Sequence, residues 1–226
     1  MAGTLLLTGA NGSLGINVVK YLLSTYTSLT LILTVRDDSE KDINTVALRK
    51  VVSGYPDAIV SVRKLDLGSL KEVRAFSANL QSEIMEAKVP KIDAIMCQAM
   101  VWKLSGGPAF TEESFESSMA INHLAQFEMV LRLLEVMNAQ RGRIVFFGSE
   151  AHWPERAGLS KGFPTKLPED LESLVHPPQD SAGKELGEGF RRYGLSKLVV
   201  TMVAYELNRR LAEVYLMHIQ LHSTLC

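Results

Sequence analysis

The chain has 226 residues, 46% hydrophobic and 22% charged, with Lys+Arg 24 against Asp+Glu 25. That length and composition suit one globular α/β domain with a sizeable core, and the balanced charge offers no basic surplus to a nucleic acid or an anionic membrane surface. Two cysteines, Cys97 and Cys226, make no disulfide framework; no apolar run reaches the ~20 residues of a membrane span, and no basic stretch precedes the apolar residues 5–7, so a cytoplasmic protein without signal peptide or span is expected.

Residues 3–7 (GTLLL) form an apolar run of strand length, followed by Thr8-Gly9-Ala10-Asn11-Gly12-Ser13-Leu14-Gly15 and a helical pattern over 16–23. This layout places a helix N-terminus at the carboxyl edge of a sheet, where unpaired N–H groups and aligned peptide dipoles favour an anion. Glycines at 9, 12 and 15 permit a tight turn, keep side chains away from a phosphate and let the helix pack closely. The expected guest is the pyrophosphate of a dinucleotide. Residues 29–35 (LTLILTV) predict a second strand, ending at Arg36-Asp37-Asp38. In a dinucleotide fold the end of this strand reaches the adenosine ribose. Arg36 can pair with a 2′-phosphate, which favours NADP(H) over NAD(H), while Asp37 and Asp38 keep NAD(H) open as acceptors from a 2′-hydroxyl.

The remaining elements alternate. A helix is predicted over 42–52, a third strand over 59–65 followed by Asp66-Leu67, and a helix capped by Ser69 that runs to about residue 87. Residues 92–100 predict a nearly all-apolar fourth strand, as a central parallel strand requires. Thr111 opens a helical pattern to about 138, and residues 143–147 form a fifth strand ending at Gly148-Ser149. Such alternation implies a doubly wound parallel sheet with helices on both faces, in one domain spanning residues 1–226. Residues 151–189 hold Pro154, Pro164, Pro168, Pro177 and Pro178 and are too long for a simple connection; an insertion or lid is expected there, with a short helix over 167–175. A strong helix over 190–212 and a sixth strand over 214–221 follow.

Tyr193-Gly194-Leu195-Ser196-Lys197 carries the second constellation. Tyr193 and Lys197 stand four apart on a helix and project from one face. An ammonium beside a phenol favours the phenolate and brings the tyrosine pKa down from ~10, so that it can act as acid or base. Ser149 closes the fifth strand, and strand carboxyl ends are where open α/β sheets bind ligands.

These residues together resemble the short-chain dehydrogenase/reductase family, and the resemblance runs from Thr8-Gly9 to Lys197. It implies a Rossmann-type fold, an NAD(P)(H) cofactor, and hydride transfer between a carbonyl compound and an alcohol. By the same resemblance Tyr193 is the general acid in reduction and the base in oxidation, and Ser149 bonds the substrate oxygen. Lys197 holds the nicotinamide ribose and depresses the Tyr193 pKa. Asn122 supports a proton relay, and Asp66 contacts the adenine with Leu67 beside it. Thr8, Gly9, Asn11, Gly12, Leu14, Gly15, Arg36 and Ala99 complete the expected cofactor site. A homodimer or homotetramer is implied through the helices holding Asn122 and Tyr193, with Leu198 and Met202 on the outer face.

The chain also departs from the family pattern. The glycine spacing resembles that of its extended members, the epimerases and dehydratases. Gln98-Ala99-Met100 stands where the family has Asn-Ala-Gly. The stretch between Ser149 and Tyr193 is far longer than usual and resembles the insertion in retinol-dehydrogenase-like and protochlorophyllide-reductase-like members. The sequence after His222 carries no Pro-Gly turn, so the expected sheet lacks the family's last strand. No metal site is expected from His152, His176, His218 or His222, and His123 is expected to pack locally. Two readings stand: an NADP(H)-dependent oxidoreductase acting on an apolar ketone or secondary alcohol, and a weakened relative that binds a nucleotide or a partner. A non-redox reaction on a bound cofactor is a third.

Overall fold

The computed structural model describes residues 3–154, 162–214 and 218–223. Six parallel strands make one sheet in the order β3-β2-β1-β4-β5-β6: β1 (Thr4–Thr8), β2 (Thr30–Val35), β3 (Ile59–Lys64), β4 (Ile92–Cys97), β5 (Arg143–Gly148) and β6 (His218–Ser223). The order reverses between β1 and β4, and that switch opens a crevice beyond the strands' carboxyl ends. β1 and β2 are buried along their whole length, as strands covered on both faces must be.

Alternation along the strands divides the core into two layers. Leu5, Leu7, Leu31 and Leu33 face one side, where Val19 and Leu22 of α1 (Ser13–Thr25) and Leu48 of α2 (Ile43–Ser53) cover them. Leu6, Ile32, Ile95 and Ile144 face the other side. There they meet Val73 and Leu80 of α3 (Leu70–Met85), Met129 and Leu133, and Val200 and Leu207. The expected Ser69 cap holds, and the structure adds a cap by Asp42 at the start of α2. The Asp42 carboxylate accepts from the Asn44 and Thr45 amides, and the Ser69 hydroxyl accepts from the Glu72 amide.

Four boundaries differ from expectation, each for a local reason. β4 stops at Cys97, because side chains take the backbone groups beyond it: Thr8 Oγ1 accepts from the Ala99 amide at 3.0 Å and Asn122 engages Val101. The helix expected from Thr111 starts later. Residues 111–114 turn first, with the Ser114 amide on the Thr111 carbonyl at 2.9 Å. Glu116 then caps α4 (Ser117–Met119), accepting from the Met119 amide at 2.9 Å. A π-turn (Ala120–Leu124), α5 (Ala125–Leu133) and a 3-10 turn (Leu134–Val136) follow. The short helix expected over 167–175 is a single 3-10 turn, Leu171–Leu174, capped by Asp170. Finally α6 is longer at both ends than expected, Glu185–Val214, so that residues 185–189 are helix and β6 begins at His218. Gly187 and Gly189 weaken helix propensity, but tertiary packing overrides it: a Cβ on either would collide with a neighbour, the Phe163 ring and the Lys103 carbonyl respectively. Among the described residues no helix is long and apolar enough to cross a membrane.

Candidate active site

A cleft of about 550 Å³ lies over the switch point, and the glycine turn lines it. Gly9 has φ +67°, and a Cβ there would stand 2.9 Å from the Ala99 Cα, so only glycine suits both the conformation and the approach. Gly12 is the N-cap of α1 and gives no side-chain cap, which leaves the first-turn N–H groups to the cleft. Gly15 lies one turn in, where a Cβ would come within 2.5 Å of the Gly9 carbonyl. Gly9, Asn11, Gly12 and Leu14 line the cleft; Thr8 and Gly15 stand behind it, buried.

Arg36, Asp66 and Leu67 line one end. Asp37 and Asp38 do not. The Asp37 carboxylate accepts from the Ser39 amide at 2.9 Å, and that hydrogen bond holds its pKa below the usual carboxylate range. The Asp66 carboxylate accepts from the Gly68 amide at 2.8 Å. Asn11 donates to Thr45 Oγ1 at 3.0 Å, and Thr45 donates to the Asp37 carbonyl at 2.7 Å, tying the glycine turn to the end of β2 through α2. Asp42 and Asn44 also line this end. The sequence reading missed their place at the cleft, although the capping role of Asp42 put them at a helix start beside it.

Tyr193 and Lys197 line the other end, together with Gly148. Lys197 Nζ donates to the Phe147 carbonyl at 2.7 Å and stands 5.8 Å from the centroid of the Tyr193 ring. Tyr193 is buried in a small cluster with Ala151 and Phe190, with Leu104 packed against it. Ser149 follows Gly148, buried, its Oγ accepting from the Ala151 amide at 3.3 Å.

Asn122 does not line the cleft. Its Oδ1 accepts from the Val101 amide at 2.7 Å, and its Nδ2 donates to the Val101 carbonyl at 2.9 Å and to Ser196 Oγ at 3.0 Å. Ser196 Oγ donates in turn to the Tyr193 carbonyl at 2.7 Å. Asn122 thus joins the loop after β4 to the helix carrying Tyr193, from a π-turn, a feature that recurs at functional sites. Gln126 is a residue the sequence reading overlooked. It accepts from Thr8 Oγ1 at 3.0 Å and donates to the Ala99 carbonyl at 2.8 Å, which fixes Ala99 against the glycine turn. Its signal was available: a polar side chain four residues after Asn122, on the helix face that also carries Met129 and Val130.

A second overlooked group is ionic. Arg192 pairs with Asp180, one contact being 3.0 Å, and lies 3.9 Å from Glu116; all three side chains are almost wholly buried. The cluster fastens the segment before α6 and the start of α4 to α6, one residue from Tyr193. His123 stacks on Phe127 with ring centroids 5.5 Å apart, and burial lowers its pKa to about 4, so it is neutral near pH 7. Burial raises the Cys97 thiol pKa, which leaves it a packing residue. The side chains of His218 and His222 lie outside the described residues. Among the described residues no group of His, Cys, Asp and Glu could hold a metal ion.

The cleft fits a dinucleotide. The turn offers backbone without side chains, the first turn of α1 is uncapped, and Arg36 supplies a cation at one end. Gln98 lines the cleft with a buried Oε1 that has no partner, an acceptor suited to a hydroxyl donor. Met100 also lines it, where the resemblance places glycine.

Comparison with known proteins agrees with this geometry. The chain is 30% identical over 240 residues to the short-chain dehydrogenase iccH of Talaromyces variabilis, covering 92% of this chain and 64% of that protein. It is 29% identical over 225 residues to the chloroplastic protochlorophyllide reductase of Chlamydomonas reinhardtii, covering 92% and 51%. The chain therefore spans between about half and two thirds of the length of these relatives. Among solved structures, the NADPH-bound carbonyl reductase from chicken fatty liver has the same fold, with a TM-score of 0.71 at 16% identity, covering 98% of this chain and 79% of that one. So does a short-chain dehydrogenase/reductase from Burkholderia phymatum in complex with NAD, with a TM-score of 0.64 at 17% identity, covering 99% and 66%. The sequence model described as short chain dehydrogenase matches residues 3–160, and the chain belongs to that family.

Proposed function

We propose that the chain is an NADP(H)-dependent oxidoreductase that interconverts a ketone and a secondary alcohol on an apolar small molecule. One observation carries this reading: Tyr193 and Lys197 line the same cleft as the uncapped N-terminus of α1, with Arg36 at its far end. Arg36 faces the cleft and Asp37 is turned into its own Ser39 loop, so a 2′-phosphate is better served than a 2′-hydroxyl. Thr8, Gly9, Asn11, Gly12, Leu14 and Gly15 hold the pyrophosphate turn, Asp66 and Leu67 the adenine, and Ala99 with Lys197 the nicotinamide side.

In the reducing direction the bound cofactor supplies the hydride. Tyr193 donates its phenolic proton to the carbonyl oxygen, and Ser149 holds that oxygen by a hydrogen bond. Lys197, beside the phenol, stabilises the phenolate left behind. Asn122 keeps Val101 and the Tyr193 turn of α6 in register and supports proton return. In oxidation the phenolate takes the alcohol proton. No metal takes part in this scheme. Residues 151–189 form an insertion in a single domain, and outer faces of the helices carrying Asn122 and Tyr193, with Leu198 and Met202, pair copies of the chain in a cytoplasmic homodimer or homotetramer.

Calorimetric titration with NADPH and with NADH, followed by assay against a ketone panel, tests the proposal. NADPH binds more tightly, and Arg36→Ala weakens NADPH about tenfold while leaving NADH unchanged. Tyr193→Phe lowers turnover by about 10²–10⁴ with NADPH affinity retained. Failure to bind either nucleotide overturns the reading. It would favour the weakened, partner-binding relative, for which Met100 in the cleft is the supporting observation.

A further inference from the structure

Trp102 is the aromatic member of the exposed apolar side chains, with Leu14 and Met100, that line the cleft among the described residues. It is 46% exposed, yet its backbone is pinned on both sides. On one side the amide and carbonyl of Val101 are both bonded to Asn122, at 2.7 and 2.9 Å. On the other, the loop lies directly on α6: a Cβ on Gly189 would stand 2.9 Å from the Leu104 Cα, and Leu104 packs against the cluster of Ala151, Phe190 and Tyr193. The indole ring is set edge-on to Tyr193, with centroids 5.6 Å apart and planes at 63°. Trp102 lines the cleft beside Met100, Val101 and Ile121. Among the described residues Lys197 is the one charged residue lining this end, and its ammonium is bonded to the Phe147 carbonyl.

A large exposed aromatic surface on a mobile loop needs no explanation. One held through the backbone of Val101 on one side and Leu104 on the other, beside the proton donor, is preorganised, and preorganisation matters for a ligand. An indole in this position offers a π-surface to a flat apolar group, and aromatic partners prefer offset or edge arrangements at 4.5–7 Å. From this geometry we infer that Trp102 is a substrate platform that selects neutral aryl ketones, and the corresponding aryl carbinols, by packing the aryl ring while the carbonyl reaches Tyr193. The inference rests on the reductase reading and adds to it the substrate class. Reduction transfers a hydride from NADPH to the carbonyl carbon and a proton from Tyr193 to its oxygen, giving the aryl carbinol and NADP.

Two probes of similar size separate the possibilities: acetophenone and cyclohexyl methyl ketone. With the full chain and saturating NADPH, kcat/KM favours acetophenone by about tenfold. Trp102→Leu collapses that preference to near unity, chiefly through the KM for acetophenone, while Trp102→Phe retains most of it and neither change alters NADPH affinity. Because the chain has Trp 2, Trp153→Phe leaves Trp102 as its one tryptophan, and saturable quenching of that fluorescence by acetophenone, absent with the cyclohexyl ketone, reports the contact directly. An unchanged preference in Trp102→Leu overturns the inference and leaves the reductase reading standing. If neither ketone turns over, the aryl-ketone inference is overturned whatever the quenching shows, and the NADPH titration decides separately whether the reductase reading falls with it.

Discussion

At the glycine-turn end of the cleft the working groups are backbone, and the residues that place them are close in sequence except for the Thr8–Gln126–Ala99 link. Gly9, Gly12 and the first turn of α1 lie within one strand–turn–helix unit, and Asn11 reaches only as far as Thr45. The Tyr193 end is assembled from side chains separated by long stretches of chain. Asn122 joins Val101 to Ser196, Lys197 joins Phe147, and Arg192 joins Asp180 and Glu116. One end therefore depends on sterics, the other on buried polar and charged groups. Steric sites fail by misfit. Buried polar sites fail when one partner is removed, since the group left behind has lost water and gained nothing.

The largest effect is expected at the ion cluster. Arg192→Leu leaves two buried carboxylates without their cation and costs about 3–5 kcal/mol in denaturant unfolding. A triple change that also converts Asp180→Leu and Glu116→Gln recovers most of that loss, because the penalty comes from uncompensated charge. NADPH affinity per folded molecule stays within about twofold, since the glycine-turn end shares none of these groups. A parallel loss of NADPH affinity would mean that the two ends are not separable.

The second effect is a pH dependence at the same end. The His123 pKa is about 4 in the fold against 6.5 in the ordinary state. Above pH 6.5 neither state carries the proton. Between 6.5 and 4 the unfolded chain takes up a proton that the buried ring refuses, so stability falls as the pH falls. The loss reaches ~3 kcal/mol by about pH 4. His123→Gln removes that contribution, and the two unfolding curves plotted against pH converge above 7 and separate below 6. Parallel curves throughout would show that the ring titrates normally.

The same contrast explains what the sequence disclosed. The glycine turn, the Ser69 cap and the leucine-rich strands are local signals, and the elements they predict occur with ends displaced by a few residues. The Tyr-x-x-x-Lys spacing was equally local and put both side chains on one cleft. The partners of Asn122, the Thr8–Gln126–Ala99 link and the Arg192 cluster depend on which loops the fold brings together, and no periodicity announces them. The early end of β4 belongs with these. Its apolar run continues through Met100, but Thr8 and Asn122 outcompete the neighbouring strands for its backbone.

The smallest effect tests the steric end. Gly15→Ala would ordinarily stabilise a helix interior by about 1 kcal/mol. Here the added Cβ meets the Gly9 carbonyl at 2.5 Å and the Ala10 carbonyl at 2.7 Å, both backbone atoms with little room to move. Overpacking of this kind costs about 1–3 kcal/mol, so the net change is a destabilisation of about 1 kcal/mol. The more telling readout is cofactor affinity. Relief of the clash moves the start of α1 away from β1, and with it the N–H groups that face the cleft, so NADPH binding weakens by more than the stability change alone predicts. A variant that is as stable as the parent and binds NADPH equally well would show that the helix has slack at this point. The glycine-turn end would then have to be read as a flexible cradle instead of a rigid steric one.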